Sequence, residues 1–479
     1  FWLKSSVQGT LAQNLCFFIH LFTLPGMCIG TSHGAAPQAV VVVDPYSSGK
    51  YLLMELEQRG IPIVAVRSTT KMSQQFLRSH ETNLRFFVKV LEFEEMESGV
   101  TQLADSLGSL PYEIVAVLPG SEPGVELANL LADELKLPTT NPVDLLSART
   151  DKAEMQEALR RNGVPAAKQF KSGDLEPLLE WARKENQWPL VAKPVGGAGS
   201  EGIFFCKKED DIRAAHQHIV GNRSSTGALN SHLALQEFLD GDEYIVDTVS
   251  MDGKHLCIAI WVYKKIRGLP WNPTAIMPAQ NMLLPASGEV QDKLVNYVFQ
   301  VLDAVGLKNG PCHTEVMFTK RGPILVEVNA RLHGLQGPRL IELCTGISKA
   351  TYTADAMVCG GGLFRKLYEE GQANGGRYLY PLQKNCVCAM LISPTEGILT
   401  TSIHDTLSKM QLQAALEILP AVAKGQRIVP TKDLPTLAGT VLFVHESMDQ
   451  INAEIQKIRD AEASLELYPV SPLDFTSSL

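Results

Sequence analysis

Hydrophobic patterning becomes regular at Ala39–Asp44, where the run AVVVVD reads as a strand buried on both faces. Residues 49–59 (GKYLLMELEQR) then carry apolar side chains at helical spacing, and Gly60 sits where such a helix stops. Ile61–Val66 and Glu113–Leu118 read as further strands, the latter followed by Pro119 and Gly120. Residues 123–136 (PGVELANLLADELK) predict an amphipathic helix with Pro at its start. Strands alternating with helices imply a parallel sheet of Rossmann-like type over 37–145. Leu137–Pro142 (LPTTNP) is a linker by composition.

Asp151 is placed to cap the next helix, with Glu154 three residues on, and Met155, Ala158 and Leu159 give that helix one apolar face. From Trp188 the period changes to two. The runs WPLVAK, IFFCKK, HLALQEF, EYIVDTVS and HLCIAIWVY are bounded by Gly, Asp and Pro and suggest antiparallel strands. Residues 290–305 return to a helix and 312–330 to a hairpin. From Leu379 to Val470 a third unit has short strands (CAMLIS, GTVLFVH) and a late helix (SMDQINAEIQKIRDAE). The expected organisation is a parallel α/β domain at 37–145, a mixed domain at 146–365 with a flap at about 188–245, and a C-terminal α+β subdomain at 366–479.

Length agrees with several units, because 479 residues exceed the roughly 250–300 that one core supports. The net charge of −9, with no basic stripe, argues against a dedicated nucleic-acid binder. The nine cysteines include no CxxC pair and no Cys/His set at zinc spacing, as for reduced thiols in a cytosol-like compartment. Residues 11–30 are apolar but broken by Gln13, Asn14, His20 and Pro25, too broken for a membrane span. The chain starts at Phe1, so it is expected to be a fragment or processed product. Residues 1–36 are set aside as an unassigned leader, with a targeting remnant as one reading.

The most informative segment is Pro311–Arg331, PCHTEVMFTKRGPILVEVNAR. Both flanks alternate around the turn residues Arg321-Gly322-Pro323. A turn centred on Arg321 sets Glu315 across from Glu327 and His313 across from Asn329, all on one face. Two directly opposed carboxylates destabilise a sheet unless a cation lies between them. Oxygen donors from Glu315, Glu327 and Asn329 suit Mg²⁺, with Mn²⁺ able to replace it. Two unrelated glutamates on a solvated face are the plainer alternative, against which Val316, Val326 and Val328 read as buried. Arg331 continues the alternation, and its planar fork suits phosphate oxygens.

Residues 190–202 (LVAKPVGGAGSEG) contain a literal GxGxxG at Gly197, Gly199 and Gly202. The dinucleotide-binding version leads from a strand into a helix; here a second strand follows. The segment is therefore a glycine-rich hairpin tip whose N–H groups can cover phosphates, with Lys193 at the end of its first strand. In isolation such a tip is as often a flexible surface turn. Residues 235–247 (LQEFLDGDEYIVD) read as a hinge between two strands. A hinge can offer backbone groups to an adenine edge, and Glu243 could accept from ribose hydroxyls or be a plain surface charge.

These three segments, in this order, resemble the ATP-grasp superfamily over 151–331. The resemblance implies α/β and α+β architecture: a Rossmann-like domain, an ATP-grasp fold with a glycine-rich lid, and a C-terminal α+β subdomain. It implies Lys152, Lys193, Gly196, Gly197, Gly199, Ser200 and Gly202 around the ATP phosphates. Adenine would lie on Gln236, Glu237, Phe238 and Leu239, with ribose on Glu243. Mg²⁺ would be held by Glu315, Glu327 and Asn329. Arg331 and Lys193 would act on the transferring phosphoryl group. Within the superfamily, segments 118–142, 149–167, 329–338 (NARLHGLQGP) and 439–444 are similar to L-amino-acid ligases, including dipeptide-forming and carnosine-synthase-like members. That implies an ADP-forming carbon–nitrogen ligase acting on a small carboxylate and an amine through an acyl phosphate. Dimers are common in the resembled family, so a homodimer is one expected assembly; the cysteines imply a cytoplasmic setting, and the charge and broken apolar stretch imply no nucleic-acid or membrane partner. Carboxylase-type and purine-biosynthesis ligases of the same superfamily, and a non-catalytic ATP-binding module, are the alternatives.

Overall fold

The computed structural model describes residues 36–472 apart from 70, 72–80, 95, 97–98, 197–201 and 225–228. Strands β1 (Gln38–Val43), β2 (Ile63–Arg67), β3 (Phe87–Glu92) and β4 (Glu113–Pro119) form a parallel sheet in the order β3-β2-β1-β4. Alternate β1 side chains go to opposite layers. Val40 and Val42 pack with Leu52, Leu53 and Leu56 of the helix Gly49–Gln58. Val41 and Val43 pack with Leu103 and Leu107 of the helix Gly99–Gly108 and with Leu127 and Leu131 of the helix Gly124–Glu134. Strand β3 and the helix Gly99–Gly108 were not expected from the sequence. β3 lies at the sheet edge with Val88 and Lys89 exposed, so it lacks the continuous apolar run of its buried neighbours.

Switching from β1–β3 to β4 leaves a crevice at the carboxyl ends of β1 and β4, the place where open parallel sheets present ligand sites. Gly49 sits there against Gly120; a Cβ on it would lie 2.5 Å from the Gly120 carbonyl oxygen. The face of β1 that meets Leu52 also meets Leu332, Ala350 and Ala354, which docks this unit beside the loop following the hairpin.

The second unit is built on strands β5 (Gln169–Ser172), β6 (Leu190–Pro194), β7 (Phe204–Cys206) and β8 (Leu233–Glu237), antiparallel in the order β5-β8-β6-β7. The helices Leu175–Glu185 and Glu209–Ile219 cover it. It thus begins upstream of residue 188, where the flap was expected to start.

The third sheet has eight strands. β9 (Gly241–Met251), β10 (Lys254–Leu269), β11 (Asn272–Leu283), β12 (Gly310–Thr319), β13 (Gly322–Asn329), β14 (Asn385–Leu391), β16 (Ala415–Pro420) and β18 (Gly439–His445) run in the order β13-β12-β9-β10-β11-β14-β18-β16. β15 (Gly397–Leu399), β17 (Arg427–Ile428) and β19 (Val470–Ser471) make a small sheet beside it. The segment expected as a separate C-terminal subdomain therefore shares one sheet with the candidate site strands through the β11–β14 pairing. Glu243, placed within the flap by the sequence, lies on β9 of this large sheet; residues 238–240 join the two sheets. Among the described residues no helix is long and apolar enough to cross a membrane.

Candidate active site

β12 and β13 pair as the alternation demands: His313 opposes Asn329 and Glu315 opposes Glu327. The route to that register differs from the expected one. Thr319 pairs with Gly322, so the turn holds Lys320 and Arg321 and centres between them. Val316 pairs with Leu325, and the register shift between Glu315 and Val316 makes Val326 the extra residue of a bulge. That one residue brings the two glutamates opposite each other. Val326 is consequently half-buried, whereas Val316 and Val328 are buried as expected.

β13 is the sheet edge, and its outward backbone groups are covered. Leu325 N–H donates to Tyr297 Oη at 2.7 Å, and Gln156 Nε2 donates to Leu325 O at 2.9 Å. Gln156 belongs to the helix Lys152–Arg161, which Asp151 caps by accepting from Ala153 N and Glu154 N at 2.8 and 3.1 Å. The capped helix presents Lys152, whose Nζ lies 2.7 Å from Glu327 Oε1. Lys152 N–H donates to Val195 O at 2.9 Å, tying the helix start to the foot of the glycine-rich tip.

The two carboxyls are pushed in opposite directions. Burial and the facing Glu315 raise the Glu327 carboxyl above the usual range, against Lys152. Burial also opposes charge on Glu315, but the His313 bond and the Arg331 and Lys152 charges keep it below that range. Lys193 is buried, with Nζ 3.5 Å from Val326 O. Burial and the Lys152 ammonium pull its amine down to about 8, against Glu327, Glu315 and Glu243. Phosphates placed beside it would restore the charge, so an anion of that kind bound there above pH 8 would be accompanied by proton uptake. Calorimetry at about pH 8.5 in buffers of different ionisation heat should show proton uptake by the wild type that Lys193→Met loses.

Arg331 reaches the same face by a different path from the one its spacing suggests. β13 ends at Asn329, and Arg331 N–H turns back onto Asn329 O at 2.8 Å, so the alternation stops before Arg331. Its guanidinium spreads over three acceptors: Glu122 Oε2 at 2.7 Å, Asn329 Oδ1 at 3.0 Å and Leu332 O at 2.9 Å. Glu122 comes from the crevice between β1 and β4 and was not singled out from sequence. Its signal was position alone, after a strand end and at the start of a helix. Leu335, in the loop beyond Arg331, is 62% exposed and holds φ +54°, strain of the kind that clusters at functional sites.

Beneath the glutamates lies a buried polar cluster. Asp247 on β9 opposes His313, accepts from His333 Nδ1 at 2.8 Å and Trp261 Nε1 at 3.0 Å, and meets Lys349 Nζ at 2.7 Å. The His313 and His333 rings are 4.2 Å apart. Burial pushes the His333 imidazole down to about 4, against Asp247. Both Asp247 oxygens are already committed, and a cation beside them would meet the Lys349 ammonium, so this cluster is a poor metal site. Gly337 has no room for a side chain, since a Cβ would lie 2.5 Å from His333 Cγ. Gly337→Ala is expected to displace His333 at a cost of about 1–3 kcal/mol, seen as a lowered thermal midpoint together with reduced turnover.

Gly197, Gly199 and Ser200 lie outside the described residues. Of the flanking positions, Gly196 has, its chain neighbours apart, no atom of the described residues within 4 Å of where a Cβ would stand, and Gly202 holds φ +70°, which glycine adopts without strain. In the hinge, Gln236 is buried, with Nε2 3.3 Å from Gln169 Oε1. Phe238 stacks edge-on against Phe205, and Leu239 packs with Ala167 and Ile324. Glu237 N–H donates to Lys168 O, and its carboxylate accepts from Lys168 N–H and Arg321, so its N–H and side chain are engaged within the protein. Glu243 is buried and paired with Lys265.

The donor set fits a divalent cation bound with phosphates. The carboxylate oxygens of Glu315 and Glu327 face each other as hard donors and Lys152 already supplies positive charge at Glu327, while Asn329 offers Oδ1, which also accepts from Arg331 at 3.0 Å; its Nδ2, buried without a partner among the described residues, is a donor suited to a phosphate oxygen. The ATP-grasp domain family matches residues 186–338, a span that contains Lys193, Glu243, Glu315, Glu327, Asn329 and Arg331 and leaves Lys152 and Glu122 outside. The chain is 29% identical over 432 residues to a protein of Enterobacter agglomerans named dapdiamide A synthase, covering 89% of this chain and 96% of that protein. It is 26% identical over 224 residues to carnosine synthase 1 of Homo sapiens, covering 43% of this chain and 26% of that protein. The solved structure of an L-amino acid ligase from Bacillus licheniformis shares its fold, with a TM-score of 0.67 at 17% identity over 89% of this chain and 98% of that one. With the hairpin carboxylates and the hinge between sheets in place, residues 186–338 match the ATP-grasp domain family, and the chain is similar in sequence to dapdiamide A synthase and in fold to an L-amino acid ligase.

Proposed function

We propose that this chain is a Mg²⁺- and ATP-dependent carbon–nitrogen ligase that joins an amino-acid carboxylate to an amino group through an acyl phosphate. The observation that carries the reading is one buried constellation: Glu315 opposed to Glu327, Asn329 beside them, Lys152 2.7 Å from Glu327, Lys193 behind the bulge and Arg331 at the strand end. The relatives named dapdiamide A synthase and carnosine synthase support amide formation, and the L-amino acid ligase supports the fold.

In the first step a substrate carboxylate oxygen attacks the γ-phosphorus of ATP. The bond to the β,γ-bridging oxygen breaks, ADP leaves and an acyl phosphate forms. In the second, the amine nitrogen attacks the acyl carbon, inorganic phosphate leaves and the amine proton passes to it or to water. Phosphoryl transfer needs alignment and charge neutralisation more than covalent help. The bound divalent cation, Mg²⁺ or Mn²⁺, supplies part of that neutralisation. Lys152 and Lys193 bind phosphate oxygens, and Arg331 holds the transferring group and the acyl phosphate. The tip from Gly196 to Gly202 keeps water out as a lid. Adenine lies on the hinge around Phe238 and Leu239, with ribose on Glu243. Two copies of the chain form the assembly, which light scattering reads directly.

Labelling tests the chemistry. A substrate carboxylate carrying ¹⁸O should deliver one labelled oxygen to the released phosphate. Amide formed with unlabelled phosphate would contradict the acyl-phosphate route.

A further inference from the structure

Asp247 is fully buried, yet four elements converge on its carboxylate. On Oδ1, Lys349 from the helix Lys349–Met357 donates at 2.7 Å, and His313 Nδ1 on β12 stands 3.5 Å away. On Oδ2, Trp261 of β10 and His333 of the loop after Arg331 donate at 3.0 and 2.8 Å. His313 continues outward, its Nε2 3.3 Å from Glu315 Oε1. Its Nδ1 is buried without a hydrogen-bond partner and faces Asp247. A movement of a few tenths of an ångström would complete the chain Asp247–His313–Glu315.

We propose that Asp247 is a positioning residue for the cation site, fixing the orientation of Glu315 through His313 and the turn that carries Arg331 through His333. The proposal rests on the functional reading above. Three observations favour it over a purely structural role. Asp247 and Glu315 stand at the two nitrogens of one imidazole. His333 is wedged between Asp247, the His313 ring and Gly337, two residues beyond Arg331. Lys349 also donates to Cys312 O at 2.7 Å, anchoring β12 just before His313. Side chains that orient a cation's ligands act through such contacts, and their loss typically weakens affinity about 10–100-fold.

The test measures Mn²⁺ binding by electron paramagnetic resonance with a non-hydrolysable ATP analogue, alongside nucleotide affinity without divalent cation and kcat. Wild-type binding is the control: its absence would defeat the functional reading rather than this inference. Asp247→Asn alone leaves the buried Lys349 ammonium without its carboxylate, so Asp247→Asn is paired with Lys349→Met to keep the core neutral. The double variant should bind Mn²⁺ about ten-fold more weakly and turn over at least about ten-fold more slowly, with cation-free nucleotide affinity unchanged. A second pair holds whether or not that variant folds. Glutamine places an amide N–H near the position of His313 Nε2 and nothing at Nδ1, so His313→Gln keeps the Glu315 contact, loses the Asp247 one and should bind Mn²⁺ about ten-fold more weakly, as His313→Ala does. Native Mn²⁺ affinity in a folded double variant, or in His313→Gln, would overturn the proposal.

Discussion

Glu327→Ala is expected to lower turnover by on the order of 10²–10³-fold or more while the protein still folds. Glu327 meets the opposing Glu315, the Lys152 ammonium and, in the proposed complex, the divalent cation. Without it the pair of opposed carboxylates no longer exists, and one glutamate with one asparagine is a weak cation site. Folding should survive for a physical reason. The side chain sits on an edge strand, and its removal relieves repulsion with Glu315. Lys152 retains Glu122 and Glu315 as nearby negative charges. Kinetics and a thermal melt on the same preparation check both halves. A well-folded variant with retained turnover would remove Glu327 from the cation site.

Arg331→Ala is the second large effect, and its signature is a split. Turnover should fall on the order of 10²–10³-fold, whereas ATP affinity changes no more than a few-fold. The guanidinium is pre-oriented by Glu122, Asn329 and Leu332 O, an arrangement that lysine cannot reproduce with a point charge. Arg331→Lys should therefore recover little of the loss. Burial disfavours the cation, but Glu122 and the paired glutamates outweigh it, so Arg331 stays charged throughout the working range. Steady-state kinetics beside equilibrium nucleotide binding separate the two terms. A loss confined to ATP affinity would assign Arg331 to ground-state binding instead.

The hairpin was legible in the sequence because its signals are local. Period-two alternation fixes which residues share a face, and Gly322-Pro323 marks the turn. The bulge at Val326 was not legible, since no local residue type demands it. The glutamate pair nevertheless came out right, because an assumed turn centre half a residue too far along had the same effect as the bulge. Lys193 was placed by its position at the end of the strand before the glycine-rich tip, whereas Lys152 could be assigned only through the family resemblance. Their meeting depends on a hydrogen bond between Lys152 N–H and Val195 O and on a helix docking against an edge strand. Glu122 and Asp247 escaped notice for a deeper reason. Glu122 meets a partner 209 residues away and Asp247 one 102 residues away, contacts that no periodicity encodes. At fold level the buried strands β1, β2 and β4 declared themselves by dense apolar runs, while the exposed edge strand β3 did not. The extension of the large sheet into β14, β18 and β16 was equally hidden, because a strand pattern states that a partner exists without naming it.

The most direct test of the ligase reading is release of ADP and phosphate from Mg–ATP against a panel of amino-acid pairs, with products weighed by mass spectrometry. The account predicts release that requires both a carboxylate and an amine substrate, and a product at the sum of their masses less one water. Release that needs bicarbonate, or a purine intermediate, in place of the amino-acid pair would contradict it.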